Sequence, residues 1–265
     1  MELKKIALIN MEGEETFNIV LSENVPEGFT LVVGFPGIGL TGFLAVENIL
    51  SKCEMKEIGF IDAKLVPPAI VIVENEPKHP IGIFMKDKIV IIKSEVPVIN
   101  DCANRVGETI IKWAETMKVN RIIILDGLPT PGRIPVNERT VVWGVSSKNE
   151  GVKVLETLEV KPILRGMIMG VASILFMESK KRGIDCYGLF GESFAEVPDM
   201  RAAASVICKF SKLTSIPLEI NDLLNTASEF EHSYAQQYSQ ISGDYYNVSN
   251  VNLDSEKSSR PSMYG

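Results

Sequence analysis

The chain has 265 residues, 45% hydrophobic and 23% charged, with a net charge of −7 and a pI near 5.1. That much apolar material excludes a wholly disordered chain, a collagen-like fibre and a small disulfide scaffold, and a chain of this length fits one α/β domain. The acidic balance, with no Lys/Arg block, excludes the basic face that duplex nucleic acid or an anionic membrane surface would need.

In chain order, the opening MELKKIALINMEGEE meets acidic residues too soon for a secretory signal. Residues 3–9 and 16–21 read as strands around the acidic turn at 11–15. Residues 28–46 carry no charge and have the length of a membrane span, but Pro36 and Gly37 interrupt them and Glu27 and Glu47 flank them. A buried strand over 29–35, a tight turn and a helix over 40–52 explain this window better, in a soluble protein. Strands follow over 56–62 and 69–73, then a hairpin of 81–85 and 88–93. An amphipathic helix spans 101–118, with Asp101 as a cap and Val106, Ile110, Trp113, Ala114 and Met117 at helical spacing. Strands are expected over 121–126, 140–145 and 186–190, and helices over 166–182, 199–213 and 221–238. This alternation implies a three-layer α/β sandwich around a mostly parallel mixed sheet, organised as one domain over 1–241. Residues 242–265 are polar and poor in aliphatics, and read as a flexible tail with a reach of about 25 Å.

Gly37, Gly39 and Gly42 fit G-x-G-x-x-G between a strand and a helix, with Gly34 and Pro36 just before. Such a turn exposes N–H groups that favour a phosphate, and Asp62 lies where a ribose partner would be sought. Glycines also serve wherever backbones press together, so a structural turn carries equal weight. Strand ends offer Asp62, Asp126 and Glu192, of which a pair could act as acid and base, although Asp126-Gly127 and Gly191-Glu192-Ser193 read first as ordinary turns; His79 is the nearest histidine, and Arg133 and Arg139 flank a Gly/Pro loop that could meet anions, solvated loop charges being the commoner outcome. No nucleophile elbow and no metalloprotease motif is present. Cys53, Cys102, Cys186 and Cys208 form no C-x-x-C pair and read as reduced core residues of a cytoplasmic protein. With His79 and His232 they make no familiar metal site. The expectation is therefore no metal, no cofactor and no catalytic residue.

The sequence ends in Met263, Tyr264 and Gly265. A hydrophobic residue, a tyrosine and a terminal carboxylate form a compact recognition element: an apolar anchor, a ring with a hydroxyl, and a charge for a partner's lysine or N–H groups. This terminus resembles that of proteasome activators and assembly factors. The body also resembles one family, the archaeal branch of the proteasome assembly chaperones. The resemblance rests on LVVGFPGIGLTG over 31–42, Pro67-Pro68, Leu125-Asp126-Gly127, residues 166–184, Gly188-Leu189-Phe190-Gly191-Glu192 and Val197-Pro198-Asp199 with Ala202-Ala203-Ala204. It implies a nucleoside-phosphorylase-like fold, a non-enzymatic role, a homo-oligomer, and docking on proteasome α-ring subunits through Met263, Tyr264 and Gly265. Gly34, Pro36, Gly37, Gly39 and Gly42 would then shape the turn. A glycine in last place contributes only its carboxylate, and Met263 is less usual there than Leu or Ile. The alternative is an enzyme that binds a nucleotide or nucleoside at the Gly37 to Gly42 turn.

Overall fold

A computed structural model of the chain describes residues 17–63, 69–98, 101–129, 140–195 and 197–228. Its elements are β1 (Phe17–Leu21), β2 (Thr30–Gly34), α1 (Thr41–Lys52), β3 (Lys56–Ala63), β4 (Val71–Val73), β5 (Glu76–Lys78), β6 (Ile81–Lys86), β7 (Ile89–Ser94), α2 (Asp101–Thr116), β8 (Arg121–Pro129), β9 (Val142–Ser146), α3 (Asn149–Thr157), β10 (Lys161–Pro162), α4 (Gly170–Arg182), β11 (Cys186–Ser193) and α5 (Met200–Thr214). Residues 221–228 are also helical. The strand expected over 3–9, the Pro67-Pro68 pair, Arg133, Arg139, residues 242–265 and the docking residues Met263, Tyr264 and Gly265 lie outside the described residues.

Nine strands form one sheet in the order β1-β3-β6-β7-β2-β8-β11-β9-β10, and β4 pairs with β5 in a separate hairpin. The centre, β7-β2-β8-β11, is parallel. The β1, β3 and β6 flank pairs antiparallel, as does β9 against β11. This makes a mixed α/β sheet whose parallel block is central. All five residues of β2 are buried. A strand with parallel neighbours on both edges and helices on both faces has no solvent side, which is why TLVVG reads as a continuous apolar run.

Two apolar layers flank the sheet. On one side α2 and α4 cover Leu31, Val33, Ile58, Ile61, Ile83, Ile92, Ile122 and Ile124. Helix α2 buries Val106, Ile110, Trp113 and Ala114 on a single stripe, and the Trp113 ring meets Phe29 at 5.2 Å between centroids. On the other side α1, α5 and the 221–228 helix cover Val32, Ile91, Ile123, Leu125 and Leu189. Each fully buried Ile, Leu or Phe contributes about 1.5–3 kcal/mol. The three layers follow from having two apolar faces to cover.

Several local features differ from the sequence reading. The helix expected from 166 begins at Gly170, whose φ of 68° breaks helical continuity, so residues 163–169 run as an irregular strap. The strand over 69–73 becomes half of the β4–β5 hairpin, turned at Glu74 and Asn75, which both have positive φ. Helix α3 has no counterpart among the elements expected from sequence. Its nine residues bury only Gly151 and Leu155, too few to show a period.

Lys93, at the end of β7, is 8% exposed. Its ammonium bonds Glu47 on α1 and Glu95, the latter at 2.6 Å, and lies 5.3 Å from the Phe43 ring centroid and 5.9 Å from that of Phe84. Burial works against the charge, and the hydrogen bonds and charges of the two glutamates outweigh it, leaving the pKa raised.

Candidate functional site

Ligands of open α/β sheets gather at the carboxyl ends of the strands. Here β2, β8 and β11 end side by side, and the glycine-rich turn crosses above them. After β2 the chain makes a single 3-10 turn, Ile38–Leu40, and enters α1 with Leu40 in the left-handed region at the cap position. No side chain caps α1.

Packing accounts for the glycines. Gly39 has φ 58°, and a Cβ there would overlap Ser193 Oγ and crowd the Phe194 carbonyl oxygen. A Cβ on Gly37 would overlap the Asp126 carboxylate, and one on Gly42 the Leu125 carbonyl. Gly34 faces Val46 and the Gly42 carbonyl in the same way. Pro36 is half-buried between them. The turn is thus clasped by the ends of β8 and β11.

Hydrogen bonds fasten it. Thr41 Oγ1 donates to Ser193 Oγ at 3.0 Å, and Ser193 Oγ donates to the Phe194 carbonyl at 3.2 Å. Asp199 N donates to the Gly39 carbonyl at 2.8 Å. The Asp199 carboxylate accepts from Ala202 N at 2.9 Å, capping α5, and from Phe194 N at 3.1 Å. Sequence reasoning placed Asp199 at the start of this helix. Its grip on the glycine turn, and the Thr41–Ser193 bond across 152 residues, had no local signal.

Asp126 Oδ1 accepts from Gly127 N at 2.7 Å. Burial raises this carboxyl from 3.8 to about 7, the Gly127 bond acting in the opposite sense. Glu192 Oε1 accepts from Trp143 Nε1 at 2.9 Å. Asp126 is in register with Phe190, and Glu192 with Leu128, so the two carboxylates share one face with Cα atoms about 8 Å apart by strand geometry.

The fold separates the remaining candidates. Asp62 ends β3, three strands from β2 in the sheet, about 14 Å away at the usual strand spacing. A ribose partner belongs on the strand next to the glycine turn, and the neighbours of β2 are β7 and β8, so the dinucleotide arrangement expected of Asp62 is not formed. His79 stacks on Phe60 at 3.6 Å. All four cysteines are free, and burial pushes the Cys186 thiol far up. Among the described residues no group of three or more His, Cys, Asp or Glu could hold a metal ion, and no helix is long and apolar enough to cross a membrane.

Comparison with known proteins gives this architecture its relatives. A crystal structure of Pyrococcus furiosus PbaA, described as an archaeal homolog of proteasome-assembly chaperone, superposes with a TM-score of 0.78 at 27% identity, over 90% of this chain and 98% of that one. Pyrococcus furiosus PbaB, described as an archaeal proteasome activator, shares the fold with a TM-score of 0.74 at 20% identity, over 84% and 98% of the two chains. An uncharacterized protein of Methanocaldococcus jannaschii is 23% identical over 202 residues, 76% of this chain and 82% of its own. The PAC2 family model matches residues 31–238, most of the sequence and nearly all of the described sheet, and the chain therefore belongs to the PAC2 family.

Proposed function

We propose that this protein is a proteasome-associated assembly chaperone or adaptor that acts by contact, docking on proteasome α-ring subunits through Met263, Tyr264 and Gly265. The observation that carries the reading is the likeness to Pyrococcus furiosus PbaA across nine-tenths of the chain at 27% identity. The glycine turn supports it: its close approaches are to the protein's own Asp126, Ser193 and Leu125, so the most enzyme-like motif serves the packing of the body. In this reading the protein is cytoplasmic, works without cofactor or turnover, and presents several docking ends by assembling as a homo-oligomer. Each end then binds weakly and the set binds by avidity.

A pull-down of α-ring subunits by the full chain and by a chain lacking residues 263–265 tests this. Association lost on deletion is the expected result, with Tyr264→Ala weakening each contact by about 1–3 kcal/mol. Equal recovery with both chains removes the docking role. One observation favours a second reading, an enzyme of nucleotides or nucleosides: burial pushes the Asp126 carboxyl, near the carboxyl end of β8, up to about 7, in the range of a general acid/base. Calorimetric titration with NAD, ATP and nucleosides decides it, since absence of heat at millimolar ligand eliminates that site.

A further inference from the structure

Both faces of a sheet need cover, and at the β9–β10 end one face has none from the described helices. Helices α3 and α5 pack on β9, and α3 on β10, all on the side where Val142, Leu155, Val160 and Val206 form one cluster. Trp143 and Val145 alternate with Val142 and Gly144, so they face the other side, which is the side of α2 and α4. There α4 reaches β11, where the Phe176 and Phe190 rings fill the space over Gly188. Ile174 meets α2 at Gly107, so Ser173, Phe176 and Lys180, at i, i+3 and i+7, lie on the α4 side turned toward β9. The result is a groove. Its floor is Trp143 and Val145, one wall is this edge of α4, and the other is the strap with Ile163 and Met167. Part of it is an open notch of about 400 Å3 at the carboxyl end, lined by Trp143, Ile163, Arg165 and Met167 among others. Two strands span about 10 Å, the diameter of one helix. Met167 is 79% and Met169 71% exposed beside it. Unbranched thioethers at such a surface adapt to the shape of a guest.

We propose that this groove receives an acidic amphipathic helix of a partner protein, its apolar stripe against Trp143, Met167 and Phe176 and its carboxylates toward Lys161, Arg165 and Lys180. The width of the uncovered face sets the shape of the occupant, because one helix laid beside α4 completes the layer. Charge sets its sign. Lys161 Nζ lies 5.5 Å over the Trp143 ring, and Lys161, Arg165 and Lys180 form no ion pair with any described residue. The carboxylates on the bordering elements are engaged within the body: Glu192 accepts from Trp143 Nε1, Asp185 pairs with Lys148, and Glu178 pairs with Lys181 and Arg182. In a chain of net charge −7 the groove is therefore an apolar strip with a basic rim, complementary to an acidic guest.

The test uses the full chain and two fluorescein-labelled peptides of about 14 residues, the length of α4. One is an amphipathic helix of Leu, Phe, Ala and Glu, and the other carries Lys in place of each Glu. Fluorescence anisotropy is expected to show the acidic peptide binding wild type at least about tenfold more tightly than the basic one. Lys161→Glu with Arg165→Glu reverses that order, and Met167→Ser weakens the acidic peptide. These three side chains are exposed, so the variants keep the wild-type melting temperature. Binding also shifts tryptophan emission to the blue, and the shift is lost in Trp143→Phe, because Trp113 is already in the core. Equal affinity for the two peptides overturns the proposal, as does a charge reversal that leaves their order unchanged or binding that Trp143 does not sense. Self-association of wild type that excludes the peptide and is lost on charge reversal also overturns it, since the occupant is then a second copy. A chain lacking residues 263–265 binds the acidic peptide as wild type does, so the groove and the docking end stand or fall separately.

Discussion

The glycine-rich turn and the 163–169 strap both lie at the carboxyl end of the sheet, and sequence gives them opposite prominence. The turn carries a recognisable pattern, yet in the folded chain Gly37, Gly39 and Gly42 each face a group of the protein itself. The strap carries no pattern, yet it exposes Leu164, Met167 and Met169 beside an open notch. A small-residue motif reports that something approaches the backbone closely, without saying whether the visitor is a ligand or a neighbouring strand. An apolar loop reports nothing until its exposure is known.

This contrast predicts that substitutions at the turn act on stability and substitutions at the strap do not. The largest expected effect is Gly39→Val. A branched side chain at positive φ, driven into Ser193, costs about 4 kcal/mol, read as a lower midpoint in urea with an unchanged slope. A loss under 1 kcal/mol would mean that the turn is loose enough to admit a guest.

Next comes Asp126. Its carboxyl titrates near 7 in the folded chain and at 3.8 unfolded, so between pH 4 and 7 the folded state holds the extra proton. Stability therefore falls as pH rises through that window, by on the order of 3 kcal/mol, and this contribution levels off above pH 7. Asp126→Asn, which imitates the protonated form, melts like wild type at pH 4 and higher than wild type at pH 8. Parallel melting curves for the two proteins across that range would show that Asp126 is solvated.

Asp199→Ala removes the α5 cap together with the Phe194 bond, and is expected to cost about 1–2 kcal/mol in chemical denaturation. The smallest effect belongs to the strap: Leu164→Ser leaves the denaturation midpoint within about 0.5 kcal/mol of wild type, because the side chain is already in water. A marked loss there would place Leu164 in a packed contact of the intact protein.

The parts legible in sequence are those where local pattern and tertiary role coincide. β2 is uniformly apolar because it is buried on both faces, α2 shows its stripe because one side meets the sheet, and Asp199 stands where a cap is needed. What stayed hidden depends on strand order. Asp62 ends the strand that follows α1, and only the insertion of β6 and β7 separates it from β2. The Thr41–Ser193 bond and the pressure of Asp126 on Gly37 join distant segments and leave no trace in composition. The helix expected over 166–182 takes in the end of the strap, whereas Gly170, at a φ of 68°, sets the helix start, and no neighbouring residue signals that backbone conformation.

Strand order also fixes how the sheet is laid down during synthesis. Residues 17–94 supply β1, β3, β6, β7 and β2, a contiguous five-stranded half whose open border is β2. β8, which closes that border, ends at residue 129, thirty-five residues after β7 ends, so at ordinary translation rates of about 5–20 residues per second the most apolar strand waits about 2–7 s for its neighbour. During that interval the nascent chain presents an uncovered hydrophobic margin, and the ribosome-bound half-sheet is the species on which a holding factor would act.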